Sequence, residues 1–96
     1  MKAIDFACRL LVRLTEDTLP LPAQQVLLAV AAGLDCTPDI ARFTGLEPNA
    51  CLGHLRALAN KGLLLREGGK HPTYRLAPAG KERVRHYFAF MPDRPR

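Results

Sequence analysis

Between residues 37 and 80, proline and glycine cut the chain into segments so short that few folds can accommodate their order. Thr37-Pro38-Asp39 opens a helix with a capping hydroxyl, a proline at the first helical position and a carboxylate set against the helix dipole. This helix runs to about Phe43, with Ile40, Ala41 and Phe43 as its apolar side. Thr44-Gly45-Leu46 follows, where a glycine able to take positive φ and a leucine to be buried suit a tight turn between crossing helices. A longer helix then starts near Glu47-Pro48 and ends at Gly62. Cys51, Leu55 and Leu58 recur in it at i, i+4 and i+7 as a buried seam, which leaves Asn49, Gly53, Arg56 and Asn60 on the opposite face.

Leu63-Leu64-Leu65 leaves that helix as an apolar run, and Thr73-Tyr74-Arg75-Leu76 alternates with period two. The glycine-rich, basic stretch from Gly68 to Pro72 joins them, so the segment from about 63 to 76 is expected to be a β-hairpin. Pro78-Ala79-Gly80 restarts a helix to about residue 90. In it Val84, Tyr87, Phe88 and Met91 should face inward and Lys81, Arg83, Arg85 and His86 outward; Pro92 stops it and residues 93–96 form a tail.

The N-terminal half reads as scaffold. Residues 2–15 place Ile4, Ala7, Leu11 and Leu14 in one helical row, with Phe6 and Leu10 in a second. A stripe that wide leaves two arrangements open: one core swallows it, or part of it packs on a second copy of the chain. Thr18-Leu19-Pro20-Leu21-Pro22 is a connector, because each proline removes a donor and biases its predecessor away from the helical region. A second helix, Ala23 to about Ala32, offers Val26, Leu27, Val30 and Ala31 to the core and closes at Gly33.

The chain has 96 residues, enough for one domain spanning 1–96 but not for a core and an enclosed substrate chamber together. Its 14 Lys+Arg against 9 Asp+Glu give a net charge of +5, which favours a polyanionic partner. Cys8, Cys36 and Cys51 are odd in number and lack a Cys-x-x-Cys pair, so neither a disulfide framework nor a zinc knuckle is expected; a reducing cytoplasm fits best. Asp5, Arg9 and Arg13 interrupt any leader-like apolar stretch, and the longest apolar run, Val26 to Ala32, falls far short of the roughly 20 residues that span a bilayer. A soluble chain without membrane contact is the expectation. Cys51 and His54 supply two ligands where zinc needs three or four, so no metal is expected. No nucleophile motif, phosphate loop or carboxylate pair is present, so neither an enzyme nor a cofactor is expected.

Two amides, a guanidinium and a glycine on the outer face of the longer helix are compatible with a DNA major groove. Thr37-Pro38-Asp39-Ile40-Ala41, Gly45-Leu46, Leu55-Arg56-Ala57-Leu58, Lys61-Gly62-Leu63-Leu64 and Tyr74-Arg75-Leu76-Ala77-Pro78-Ala79-Gly80 together resemble winged helix-turn-helix regulators of the MarR-like and PadR-like kind. The resemblance covers roughly residues 23 to 88. It implies a mainly α fold with a small β-hairpin: a helix-turn-helix at about 37–61, a wing at about 63–76, and N- and C-terminal helices (2–15 and 78–90) as elements of a homodimer. By the same resemblance the helix from Glu47 to Lys61 is the recognition helix. Asn49, Gly53 and Arg56 then stand where base or phosphate contacts occur, with Arg66, Lys70 and His71 on or beside the wing.

The chain departs from that pattern at the reading face, where Glu47 replaces the usual hydroxyl cap and Ala50, Leu52 and Gly53 replace hydroxyl and basic residues. Ala77 replaces a capping threonine before the last helix. Two functions follow. The first is a regulator that binds double-stranded DNA and acts by occupying its site, with affinity drawn from phosphate contacts. The second is an adaptor that uses the same fold to bind protein in a DNA-processing or phage-type assembly, favoured by the small apolar patch at Ala50, Leu52 and Gly53. They differ in one feature: DNA binding requires the basic residues of wing and recognition helix to share a face.

Overall fold

The computed structural model describes residues 2–91; Met1, the proposed stop at Pro92 and the tail 93–96 lie outside them. In chain order the elements are α1 (Ala3–Glu16), α2 (Leu21–Ala31), α3 (Thr37–Thr44), α4 (Pro48–Asn60), β1 (Leu64–Glu67), β2 (Thr73–Leu76) and α5 (Pro78–Tyr87). The mainly helical architecture with one antiparallel hairpin is the one the sequence implies.

The core is built around α2, whose Val26, Leu27 and Ala29 are inaccessible to solvent. Ile40 and Ala41 of α3, Cys51, Leu55 and Leu58 of α4, and Tyr74 and Tyr87 close around it. A helix surrounded on most sides must be apolar on most sides, which explains why α2 carries so little polar surface. Two expected core positions are corrected. Ala31 is exposed and Ala29 takes its place, because Ala29 lies one turn from Val26 on the enclosed side. Phe43 is 66% exposed: at 100° per residue it lies roughly 110° from the Ile40–Ala41 direction and so falls off the buried stripe.

The start of α3 also differs from expectation. Thr37 is its first residue, and Cys36 takes the cap position without a side-chain hydrogen bond. The cause lies in the hairpin: Cys36 forms an antiparallel bridge with Thr73, and the Tyr74 amide donates to the Asp35 carbonyl at 2.8 Å. The α2–α3 connector therefore adds a one-residue strand to the hairpin, and extended backbone there leaves Thr37 no room to cap.

At the far end of α4, the Gly62 amide donates to Ala59 and the Leu63 amide to Leu58, both at 3.0 Å, with Gly62 at φ 79°. This pair of bonds satisfies orphan carbonyls and turns the chain directly into β1. The strands pair from Leu64 opposite Leu76 to Glu67 opposite Thr73. The Leu63 carbonyl then accepts from the Ala77 amide at 3.0 Å, and α5 begins pressed against it at Gly80. A methyl group at Gly80 would collide with that carbonyl oxygen and sit 3.1 Å from its carbon.

Helix α5 ends at Tyr87 instead of near residue 90. The amides of Phe88 and Ala89 bond back to Arg85 and His86 in tight turns, while Phe88 and Phe90 pack on Phe6 of α1, with ring centroids 6.0 and 5.7 Å away. Tyr87 is buried and Val84 and Phe88 half-buried as expected, but Met91 is exposed because the chain has left the helical path before reaching it. On α1 only Leu14 is buried. Ile4, Leu11 and Val12 stand 74%, 55% and 53% exposed, so a single copy of the core does not swallow this stripe.

A polar latch fastens α5 to the α1–α2 connector. Arg83 donates to both carboxylate oxygens of Asp17, at 2.7 and 3.0 Å, and the Tyr87 hydroxyl donates to the same carboxylate. The expectation that Arg83 faces solvent is thereby corrected; its charge is spent internally. Burial alone would raise the Asp17 carboxyl, but the hydrogen bonds from Tyr87, Arg83 and the Thr18 amide hold it below the usual carboxylate range. Burial, reinforced by the bond to Asp17, pushes the Tyr87 phenol up to about 12.

Gly80→Ala should destabilise the chain by about 3 kcal/mol in urea unfolding. Gly53→Ala, which meets nothing within 4 Å, should instead stabilise it by about 0.5–1 kcal/mol. The latch sets a pH window. Asp17 has a lowered folded value, so its contribution is present above the unfolded carboxylate value near 3.8 and is lost as pH falls through the folded one. Tyr87 has a raised value, so its contribution is complete below 10 and is lost as pH rises from 10 toward about 12. Urea midpoints measured across pH should show both limbs; Asp17→Asn should flatten the acid limb and Tyr87→Phe the alkaline one.

Candidate functional site

The outward face of α4 and the hairpin beside it flank an open groove of about 540 Å³. Its floor is apolar, made by Leu52 of α4, Pro38 at the start of α3, and Pro72 and Tyr74 of the hairpin. Along its rim Arg56 comes from α4, Arg66 from β1, and Lys70 and His71 from the loop. Four of the six residues picked out from the sequence thus meet in one place. Asn49 and Gly53 do not line the groove; they lie exposed on α4 outside it.

Four arginines outside this rim form ion pairs. Arg42 pairs with Asp39, Arg75 with Glu67, Arg83 with Asp17 and Arg85 with Glu82. Arg56, Arg66 and Lys70 make no ion pair among the described residues, so their charge is available to an external anion. Arg66 also shapes the loop, since its two terminal nitrogens donate to the carbonyls of Gly68 and Gly69, at 3.2 and 3.1 Å. That fork braces the turn that carries Lys70 and His71.

At the start of α4, the Glu47 carboxylate caps the helix in place of the usual hydroxyl. One of its oxygens, Oε2, accepts from the amides of Asn49 at 3.1 Å and Ala50 at 3.2 Å. Within α4, Cys51 is buried in the seam and burial pushes its thiol up, away from the reactive thiolate. Cys36, in the groove wall, is also held above its ordinary value, by the neighbouring Asp39 carboxylate. Tyr74 is buried with no partner for its hydroxyl among the described residues.

Cys36, Thr37, Pro38 and Tyr74 escaped the sequence reading of the site. The first three reach the groove through the single bridge between Cys36 and Thr73, too short to leave a periodic signal. Tyr74 was read only as a strand residue; its alternation with Arg75 was the available clue that it points inward.

A helix pair joined by the left-handed Gly45, with an antiparallel hairpin folded back beside its second helix, defines a winged helix-turn-helix. No family model and no curated protein matches the sequence. Solved structures do match the fold, which is that of MarR-type regulators. The transcriptional regulator Tm0710 from Thermotoga maritima superposes with a TM-score of 0.77 at 13% identity, over 90% of this chain and 64% of that one. A MarR-family transcriptional regulator from Silicibacter pomeroyi gives 0.67 at 21% identity, over 88% and 63%. Lactococcus lactis ZitR, solved in complex with DNA, gives 0.66 at 14% identity, over 76% and 53%. The chain thus spans between about half and two thirds of the length of these three proteins.

If Arg66 braces the loop, Arg66→Ala should speed amide hydrogen exchange at residues 68–71 by about tenfold while leaving Cys51, Leu55 and Leu58 as protected as before; exchange followed by NMR reads both.

Proposed function

We propose that this chain binds double-stranded DNA and regulates transcription by occupying its site, with α4 in the major groove and the hairpin on the adjacent backbone. The observation that carries this reading is the convergence of Arg56, Arg66, Lys70 and His71, from two elements, on one groove beside the exposed face of α4. Phosphates are the anions such an arrangement suits, since they recur at fixed spacing along a surface that α4 and the wing can straddle. An adaptor bound through a neutral patch has no use for three positive charges without an ion pair among the described residues at its edge. That one fold neighbour was solved with DNA supports the same reading.

In this reading Asn49, exposed outside the groove, reads adenine through its paired donor and acceptor, and Gly53 lets the helix approach closely. The role is one of binding, without catalysis, in a reducing cytoplasm. A second copy of the chain is the partner that would cover Ile4, Leu11 and Val12 of α1, giving a homodimer with two α4 helices for two half-sites.

Fluorescence anisotropy of a labelled random duplex at several salt concentrations tests the reading. The logarithm of affinity should fall linearly with the logarithm of salt, and Arg56→Ala and Lys70→Ala should each lower the slope by about 1. Absence of binding at low salt would overturn it.

A further inference from the structure

From the geometry at the start of α4 we infer that Glu47 is a base-reading residue, selecting cytosine at the position in the major groove that it meets. The inference rests on the DNA-binding reading above and adds a base preference to it. A carboxylate at the leading end of a recognition helix looks at first like an obstacle, since phosphate repels it. The hydrogen bonds change that assessment. Oε2 is fixed by the amides of Asn49 and Ala50, so the side chain is folded against the end of its own helix. Those amides and the helix dipole partly offset the negative charge. The same amides would otherwise be open to a phosphate, and Glu47 has already filled that place. The end of α4 is therefore unsuited to the backbone, while Arg56 lies on the side of α4 that borders the groove and Arg66 and Lys70 lie on the hairpin across it.

Oε1, by contrast, takes no hydrogen bond among the described residues, and Glu47 is exposed. An ionised carboxylate oxygen is an acceptor only. In the major groove, guanine offers N7 and O6 and thymine offers O4, all acceptors that repel it. Adenine offers an amino donor but sets the N7 acceptor beside it. Cytosine offers its N4 amino group with no acceptor on the same base edge, so it is the base an acceptor-only group prefers. Ala50 and Gly53 on the exposed side of α4 keep the helix surface low enough for a short, fixed carboxylate to reach a base edge.

Selection of duplexes from a random library, followed by competition anisotropy on the selected site and its single-base variants, tests the inference. The wild-type chain should enrich a cytosine whose replacement by thymine weakens binding about tenfold. Glu47→Ser keeps a good helix cap but removes the free oxygen, so the preference at that position should disappear. Glu47→Gln supplies both an acceptor and a donor and should move the preference toward adenine. A cytosine preference that survives Glu47→Ser, or wild-type selection without any such cytosine, would overturn the inference and leave the DNA-binding reading intact. Failure of the wild-type chain to bind any duplex would overturn both.

Discussion

The carbonyl group of Leu63 is the point on which the carboxyl-terminal half of the molecule turns. The Leu63 amide ends α4 by bonding to Leu58, its carbonyl receives the Ala77 amide, and the bare Cα of Gly80 lies against that same oxygen. One residue's backbone thus fixes where α4 stops, where the second strand of the hairpin returns and where α5 begins. The distance between α4 and the wing follows from it, and so does the width of the groove between them. No single contact in the groove has to hold that spacing, because the backbone behind it already does.

Around this junction the polar interactions fall into two kinds. Asp17, Arg83 and Tyr87 satisfy one another inside the scaffold, and the Gln24 side chain donates to the Leu14 carbonyl at 2.6 Å. Arg56, Arg66 and Lys70 make no ion pair among the described residues. Four arginines are thus committed to ion pairs elsewhere, while the rim keeps three positive side chains that a partner can use.

Much of this fold was legible from residue order because proline and glycine mark its joints and the α4 seam keeps strict helical spacing. The hairpin followed from the same marks, whereas the grouping of Arg56 with Lys70 and His71 followed from the resemblance to winged helix-turn-helix regulators. What escaped was set by long-range contacts. The bridge between Cys36 and Thr73 moved the cap of α3 by one residue. The packing of Phe88 and Phe90 on Phe6 ended α5 early and left Met91 outside. Phe43 counted as core by hydrophobicity alone, although its angle on the helix already placed it outside. The cap position of Glu47 was legible from its place directly before Pro48; that its carboxylate itself accepts from the amides of Asn49 and Ala50 was not.

The open space around Gly53 has an evolutionary consequence. This position lies on the exposed face of α4, and a side chain there meets no neighbour. Most residues placed on it would preserve the fold and strengthen the helix. A lineage carrying this scaffold can therefore sample many chemistries at that point of its surface without first acquiring compensating changes in the core. The glycine is a site of low constraint from folding, from which new binding preferences can arise by single substitutions.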